Sequence, residues 1–299
     1  MLPPQRWAFQ AVPGIFANHA DLARRNPDGK FTTQPRLGLL PRAYPTDPQG
    51  AAKATDWQRF LGYLAALNSD AGPRVSYKVV CLTRHGLGYH NQKHAQVGTD
   101  AWDTYWSLLD GDGQTTWFDA HLTDLGVQQA KQLGRFWFSA VAHDGVPLPR
   151  TIYTSPLARC LQTTEYVFSP LADEHQKPFR PIIKENLRER RTLHTCDLRR
   201  GRSWIQTNYP GYVLENSVAE EDPFSGQTRP ETAREHRARK QRVLEEIFSS
   251  DENQVVALTV HSYAIAAILE VCGGDRVRVK EGTCLALLVR GERMEQGPV

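Results

Sequence analysis

Short apolar runs alternate with helix patterns along most of this chain. The runs have the length of strands, most are apolar on both faces, and they occupy residues 77–83, 151–154, 182–183, 254–260 and 284–289. Helix patterns, with apolar residues mostly at three- and four-residue steps, occupy residues 55–68, 123–142, 157–168, 231–248 and 264–271. Strands buried on both faces and separated by helices are typical of parallel sheets. The alternation predicts an α/β fold with a mostly parallel central sheet flanked by helices on both faces.

Three segments fall outside this alternation. Residues 1–50 are rich in Pro, Gly and polar residues, which predicts an irregular N-terminal extension tied to the body by scattered apolar side chains. Residues 51–299 then form a single α/β domain. Within that domain, we expect a long loop at residues 86–119 and an irregular, strongly charged stretch at residues 188–228.

Composition excludes several classes of protein. The 36 Lys and Arg against 33 Asp and Glu give a net charge of +3, too weak to indicate nucleic acid binding. No apolar run approaches the ~20 residues of a membrane helix, and the first residues lack the basic start and apolar run of a secretory signal. The five cysteines are widely spaced and form no C-x-x-C pair, which favours free thiols in a reducing compartment. We expect a cytoplasmic protein without nucleic acid or membrane partners.

Charged and histidine side chains follow four of the predicted strands. They are Arg84 and His85 after the first, Arg159 after the second, Glu189 after the third and His261 after the fourth. Each residue alone has a structural explanation: a hydrogen-bonded core histidine, a surface arginine, or a glutamate paired with a neighbouring arginine. Ligands of open parallel sheets bind beyond the carboxyl ends of the strands. The coincidence of all five residues at one rim favours a functional site.

This set of side chains suits phosphoryl transfer. Two arginines can hold a phosphoryl group in bidentate fashion, and a neutral histidine can attack phosphorus. A second histidine can stabilise the equatorial oxygens, while a carboxylic acid protonates the leaving oxygen. Because the side chains supply the cationic charge, the set predicts a reaction without a metal ion or other cofactor.

The sequence does not predict a metal site or a serine hydrolase site. His90 and His94 have helical spacing, but no glutamate follows as in H-E-x-x-H, and His194 and Cys196 are far away in sequence. Ser155 and His261 resemble a hydrolase pair, but the G-x-S-x-G turn is absent.

The motifs around these residues resemble the histidine phosphatase superfamily, in its phosphoglycerate-mutase-like branch. The shared motifs are R-H-G at 84–86, Asn91, L-T-D-L-G-V-Q-Q-A at 122–130, S-P-L-A-R-C-L-Q-T at 155–163, L-R-E at 187–189 and H-S at 261–262. Within the branch, fungal proteins are most similar, through G-L-G-Y-H-N at 86–91, A-W-D-T-Y-W-S-L-L-D-G at 101–111 and H-T-C-D-L-R at 194–199.

The resemblance implies a role for each matching residue. His85 would be the nucleophile that becomes phosphohistidine, and Glu189 the proton donor. Residues implied to hold the phosphoryl group or substrate are Arg84, Asn91, Arg159, His261 and Ser262. We expect the arginines beside Glu189 to lower the pKa of its carboxyl and a bound phosphate to raise it.

The sequence therefore predicts a phosphoric monoester hydrolase: a metal-independent phosphatase that acts on a small phosphorylated metabolite. A phosphomutase of the same family is the alternative, since it needs only a longer-lived phosphohistidine. A second alternative is a protein that shares the fold but does not turn over phosphate, and that binds a metabolite or serves a biosynthetic pathway. Only two departures from the family pattern support it: Tyr263 in place of Gly and an altered turn at 191–193. A third departure, Ala266 in place of Arg, bears on the size of the substrate.

Two basic runs, residues 188–202 and 229–242, admit two interpretations. A solvated charged face is the default for both. A rim that attracts an anionic substrate is the functional interpretation, and it is favoured more for the first run, which adjoins Glu189.

Overall fold

The centre of the molecule is one sheet in the computed structural model, which describes residues 6–47 and 54–295. Within these ranges the strands are β1 (Trp7–Ala11), β2 (Val75–Arg84), β3 (Thr151–Thr154), β4 (Ile182–Ile183), β5 (Val213–Leu214), β6 (Val255–Val260) and β7 (Cys284–Arg293). The helices are α1 (His19–Arg25), α2 (Asp56–Asp70), α3 (Tyr89–Val97), α4 (Thr99–Thr104), α5 (Asp124–Ser139), α6 (Ala158–Glu174), α7 (Arg202–Asn208), α8 (Ala233–Ser250) and α9 (Ser262–Val271). None of the helices in the described part combines the length and apolar character needed to span a bilayer.

The sheet is mostly parallel, as predicted. Its order is β1-β7-β2-β6-β3-β4-β5, and pairing is parallel from β2 through β6, β3 and β4 to β5. Arg84 of β2 lies beside Val260 of β6, and Thr154 of β3 beside Thr259. This register ends three strands at the same edge, so the residues that follow them emerge side by side.

Each face of the sheet has its own hydrophobic core. Side chains alternate along β2: Val80 and Leu82 pack with α8 and α9, whereas Val79 and Cys81 pack with α2, α5 and α6. All six residues of β6 are buried because the strand is central and covered on both sides. The two helical layers hold the rigid strands at whose ends the candidate site lies.

The prediction of an irregular N-terminal extension was wrong for part of residues 1–50. β1 is an edge strand that pairs antiparallel with β7, and α1 follows it. Trp7 and Phe9 are buried and Ala8 and Gln10 are exposed, which is the alternation of a half-buried strand. Pro and Gly on either side hid this short pattern. The proposed domain boundary at residue 50 lies outside the described residues, and the single-domain division stays a prediction.

The two internal segments predicted as irregular also contain regular structure. Residues 86–119 hold α3 and α4, and residues 188–228 hold α7 and β5. α3 buries none of its residues, so it has no apolar stripe for a sequence pattern to reveal. Gly98 joins α3 to α4 with a positive φ of 81°, a conformation that glycine adopts without strain.

Three arginines of the basic run 188–202 are buried, contrary to its interpretation as a solvated face. Arg188 is 1% exposed, and its guanidinium donates to Glu185 Oε1 at 2.8 Å and to Asp222 Oδ1 at 2.7 Å. Arg199 donates to Glu185 Oε2 at 2.9 Å. In the second run, Lys240 is likewise buried and donates to backbone carbonyls. Buried carboxylates and carbonyls satisfy these cations, so loss of one cation would leave a charge or an acceptor unpaired in the interior.

Replacement of Arg188 by alanine is expected to lower the free energy of unfolding by about 3–5 kcal/mol, because Glu185 and Asp222 lose a buried cation. Urea denaturation measures the change. Arg24→Ala is the matched control, since Arg24 pairs with Asp21 on the exposed face of α1, and no measurable loss is expected there. A loss for Arg188→Ala no larger than for Arg24→Ala would contradict the structural role.

Candidate active site

The loop after β2 is held by backbone contacts with the start of α5. A Cβ on Gly86 would lie 2.4 Å from the carbonyl oxygen of Gly126. The two backbone segments therefore cross so closely that neither position 86 nor position 126 can carry a side chain. The Gly86 N–H donates to Thr163 Oγ1 at 3.1 Å, and the Leu87 N–H donates to Gln129 Oε1 at 2.8 Å. The motif residues of α5 and α6 thus fix the position of His85.

His85 is buried, and only one of its two ring nitrogens has a hydrogen-bond partner among the described residues. Its Nδ1 lies 2.7 Å from the Gly86 carbonyl oxygen. Because a carbonyl can only accept, Nδ1 carries the proton and Nε2 keeps its lone pair. Burial, reinforced by Arg159 and Arg84, lowers the pKa of His85 well below its ordinary value of 6.5. This is the protonation state that a nucleophilic histidine requires.

His261 lies next to His85, with the ring centroids 5.0 Å apart. Its Nε2 is 2.9 Å from Ser155 Oγ and 3.4 Å from Cys160 Sγ. Burial, followed by the charge of Arg159, lowers the pKa of His261 well below 6.5. Strand register explains the meeting, since His85, Ser155 and His261 each follow the end of a neighbouring strand.

Two arginines flank the histidines, Arg84 half-buried and Arg159 buried. Arg84 donates to the Val279 carbonyl at 2.6 Å and pairs with Glu281 at 2.8 Å. Arg159 is fully buried, which excludes the surface role, and it donates to the Cys196 carbonyl at 2.8 Å. The Nε atoms of Arg84 and Arg159 have no hydrogen-bond partner among the described residues. Buried donors of this kind can serve an anionic group in the cleft.

Glu189 is held by two backbone N–H groups. Its Oε1 accepts from Arg190 at 2.8 Å and its Oε2 accepts from Tyr263 at 3.0 Å. Burial nevertheless raises the pKa of Glu189 above its ordinary value. The expected lowering by neighbouring arginines was wrong, because the Arg188 side chain pairs with Glu185 and Asp222 instead. Desolvation, which disfavours the charged carboxylate, is the dominant cause.

The predicted residues surround a cleft of about 670 Å³. Those that line it are Arg84, His85, Asn91, Arg159, Glu189 and Ser262, while His261 lies behind them against His85. Asn91 Oδ1 accepts the Gly88 N–H at 3.2 Å, which fixes the side chain at the start of α3. Tyr263 also lines the cleft, is 53% exposed, and carries the Arg190 guanidinium over its ring at 5.2 Å.

Sequence reasoning missed His90 as a member of this site. Its ring centroid lies 5.7 Å from that of His85, and its Nδ1 is buried without a partner in the described part of the chain. Burial, followed by the charge of Arg159, lowers the pKa of His90 well below 6.5. The G-L-G-Y-H-N stretch at 86–91, which follows His85 directly, could have identified His90. The helical spacing of His90 and His94 favoured a metal-binding interpretation instead.

The candidate metal ligands of the sequence line the same cleft, namely His90, His94, His194 and Cys196. The ring of Trp102 stacks on that of His94, with centroids 5.7 Å apart, and meets the ring of His194 edge-on, with centroids 5.9 Å apart. Cys196 lines the same cleft. Among residues 6–47 and 54–295, no group of three or more His, Cys, Asp or Glu side chains is arranged to hold a metal ion.

Comparison with known proteins assigns the family. Residues 103–278 match the model of the histidine phosphatase superfamily, branch 1. The chain belongs to this superfamily and is an enzyme of the mutase or phosphatase kind, which confirms the resemblance. The matched range includes Arg159, Glu189 and His261, whereas Arg84 and His85 precede it.

Fungal relatives are similar over most of the chain. A "Probable phosphoglycerate mutase" of Arthroderma benhamiae is 38% identical over 97% of this chain and 87% of that protein. A protein of the same description from Saccharomyces cerevisiae is 33% identical over 64% of this chain and 71% of that protein. Among solved structures, a phosphoglycerate mutase from Thermus thermophilus aligns with 73% of this chain and 99% of its own, at 20% identity and a TM-score of 0.39.

Proposed function

We propose that this protein is a phosphatase that hydrolyses a phosphorylated metabolite through a phosphohistidine on His85. The observation that carries the proposal is the 2.7 Å contact of His85 Nδ1 with the Gly86 carbonyl oxygen. Because Nδ1 holds the proton, the Nε2 atom of His85 carries a lone pair that is available to attack phosphorus. The ring lies near Arg84, Arg159 and His261. We place the activity in the cytoplasm, on the sequence argument from cysteine number and spacing.

In the first step, His85 Nε2 attacks phosphorus. The P–N bond forms as the P–O bond to the leaving group breaks, and Glu189 gives its proton to the departing oxygen. Arg84 and Arg159 donate to the equatorial oxygens, where negative charge must be stabilised. His261, fully buried next to His85, supports the position of the nucleophile. Asn91 and His90 lie at the same wall and add donors there. Burial raises the pKa of Glu189, which favours the protonated acid that this step needs.

In the second step, water attacks the phosphohistidine. Glu189, now a carboxylate, takes a proton from the water as the new P–O bond forms. The P–N bond breaks, its electron pair returns to Nε2, and inorganic phosphate leaves. His85 is again the neutral Nδ1–H tautomer, so the cycle is complete without any other reactant.

A phosphomutase is the second candidate, and the descriptions of the fungal relatives favour it. A mutase must keep water from the phosphohistidine while its product turns round. The cleft of about 670 Å³ is open to solvent in the unliganded protein, and on this ground we place hydrolysis first. A protein without turnover is less consistent with the site. The backbone N–H at position 263 holds Glu189 whatever the side chain there, and Arg191 is buried, donating to Gln227 Oε1 and to the Arg229 carbonyl.

Turnover in ¹⁸O-labelled water separates the two candidates. Purified full-length protein is incubated with a panel of phosphate esters that includes 3-phosphoglycerate, and both phosphate and isomerised ester are followed. Hydrolysis through phosphohistidine gives inorganic phosphate with one oxygen from water. Isomerised ester formed faster than phosphate would identify a mutase, and neither product from any ester would reject both.

Activity is expected to survive an excess of chelator. Arg84 and Arg159, together with the neutral histidines, supply the donors that a divalent ion would otherwise provide. Phosphate release is measured before and after dialysis against EDTA, and the expected rates are equal. A loss that Mg²⁺ or Zn²⁺ restores would show that a metal ion takes part.

The pH optimum is expected to be acidic to neutral for esters with poor leaving groups. As pH rises through the raised pKa of Glu189, the general acid loses its proton and the rate falls. As pH falls, His85 stays neutral to well below 6.5, so the nucleophile survives in mild acid. The pH profile of kcat/KM for an alkyl phosphate measures both limbs. An alkaline limb that Glu189→Gln leaves unchanged would exclude Glu189 as its origin.

A further inference from the structure

A second groove, of about 780 Å³, adjoins the catalytic cleft. The two share the lining residues Arg84, Asn91, His94, Thr99, Ser262 and Tyr263. The far end of the groove is formed by Lys30, from the N-terminal region, and by Arg276 and Arg278, from the segment before β7. A molecule bound at His85 can therefore extend past Tyr263 into a basic groove.

Backbone pairing places Lys30 and Arg278 next to each other. Phe31 and Val279 form a parallel bridge, in which the Phe31 N–H donates to the Arg278 carbonyl at 2.7 Å. Phe31 and Val279 are buried. Because side chains alternate along extended chain, the residues before them, Lys30 and Arg278, both face outward into the groove.

The side chains of this pair of cations are free of ion pairs in the described part of the chain, although the Asp28 carboxylate accepts the backbone N–H of Lys30 at 3.0 Å. Neither Lys30 nor Arg278 forms an ion pair with a carboxylate among the described residues, and like charges on adjacent strands repel. The acid in the groove, Glu281, already pairs with Arg84 at 2.8 Å. Arg276 has a partner in Glu270 at 3.3 Å. The groove is thus positively charged at the end remote from His85.

We propose that Lys30 and Arg278 bind a second phosphate group at the far end of an extended substrate. The inference rests on the proposed function of His85, and it defines the substrate class as a molecule with two phosphate groups on a spacer, larger than the small monoester expected from the sequence. A phosphate dianion matches two adjacent cations, since each can donate a charge-assisted hydrogen bond. Arg84, which lies between the cleft and the groove, belongs to both.

Binding of hydrolysis-resistant probes tests the second phosphate site independently of turnover. Isothermal titration calorimetry compares octane-1,8-bisphosphonate with 8-hydroxyoctylphosphonate, which differs by one anionic group. Two charge-assisted hydrogen bonds predict that wild-type protein binds the bisphosphonate at least about tenfold more tightly. Lys30→Ala/Arg278→Ala should remove this advantage and change the affinity for the hydroxyl probe by less than about twofold.

Arg25→Ala is the matched control, because Arg25 is an exposed cation of the same N-terminal region that does not line the groove. The control should keep the advantage of the bisphosphonate. Equal binding of the two probes to wild-type protein, no binding of either, or an advantage that survives the double substitution would overturn the inference. If the advantage is present but no ester is turned over, the proposed function fails and the second phosphate site stands.

Discussion

His85→Ala is expected to reduce phosphate release by about 10⁴-fold or more, for every ester that the wild-type protein hydrolyses. The Nε2 atom of this imidazole forms the bond to phosphorus. No other described histidine in the cleft has its second ring nitrogen held by a backbone carbonyl in this way. Initial rates with an alkyl phosphate and with nitrophenyl phosphate measure the loss.

The fold of the variant is checked by circular dichroism and thermal unfolding. His143→Ala is the matched control, since His143 is exposed and contacts Ser139 at the end of α5, remote from the cleft. It should keep the wild-type rate. Wild-type turnover by a folded His85→Ala protein would remove the covalent mechanism.

Glu189→Gln is expected to slow esters with poor leaving groups by on the order of 10²–10⁴-fold. The amide has no acidic proton to give, but its oxygen can still accept one of the N–H groups of Arg190 and Tyr263. The first turnover of nitrophenyl phosphate should be barely affected, because its leaving group departs without a proton. Rapid-mixing measurements of the nitrophenol burst give this first turnover.

The comparison of the two esters contains its own control. Misfolding or a displaced arginine slows both esters alike, whereas loss of a general acid slows the alkyl ester selectively. Equal losses for the two esters would mean that Glu189 is structural and that another group protonates the leaving oxygen.

The sheet and the rim of the site could be predicted from the sequence because local pattern determines them. The apolar runs of β2, β3 and β6 were each located to within three residues, and their ends are aligned by parallel pairing. Once the strands are parallel, the side chains after Arg84, Thr154 and Val260 meet at one edge. That rule of geometry identified His85 and His261 without any knowledge of register.

Long-range pairing accounts for what could not be predicted. Asp222, which pairs with Arg188, lies 34 positions further along the chain. An interpretation based on neighbouring residues alone therefore predicts a solvated charged face for the basic run. The same contact turns Arg188 away from Glu189, which is why the pKa of Glu189 is raised by burial rather than lowered by its neighbours. β1 escaped prediction because five alternating residues carry little signal beside Pro and Gly.

The central claim, a phosphohistidine on His85, is tested most directly by trapping it in the Glu189→Gln protein. With nitrophenyl phosphate, formation of the P–N bond needs no acid, whereas its hydrolysis loses the base that activates water. The intermediate should therefore accumulate. Protein quenched in alkaline denaturant and analysed by mass spectrometry should carry one phosphoryl group, located to the peptide that contains His85 and lost on brief acid treatment. Continued release of nitrophenol from protein with no phosphoryl group on that peptide, or with one on another residue, would contradict it.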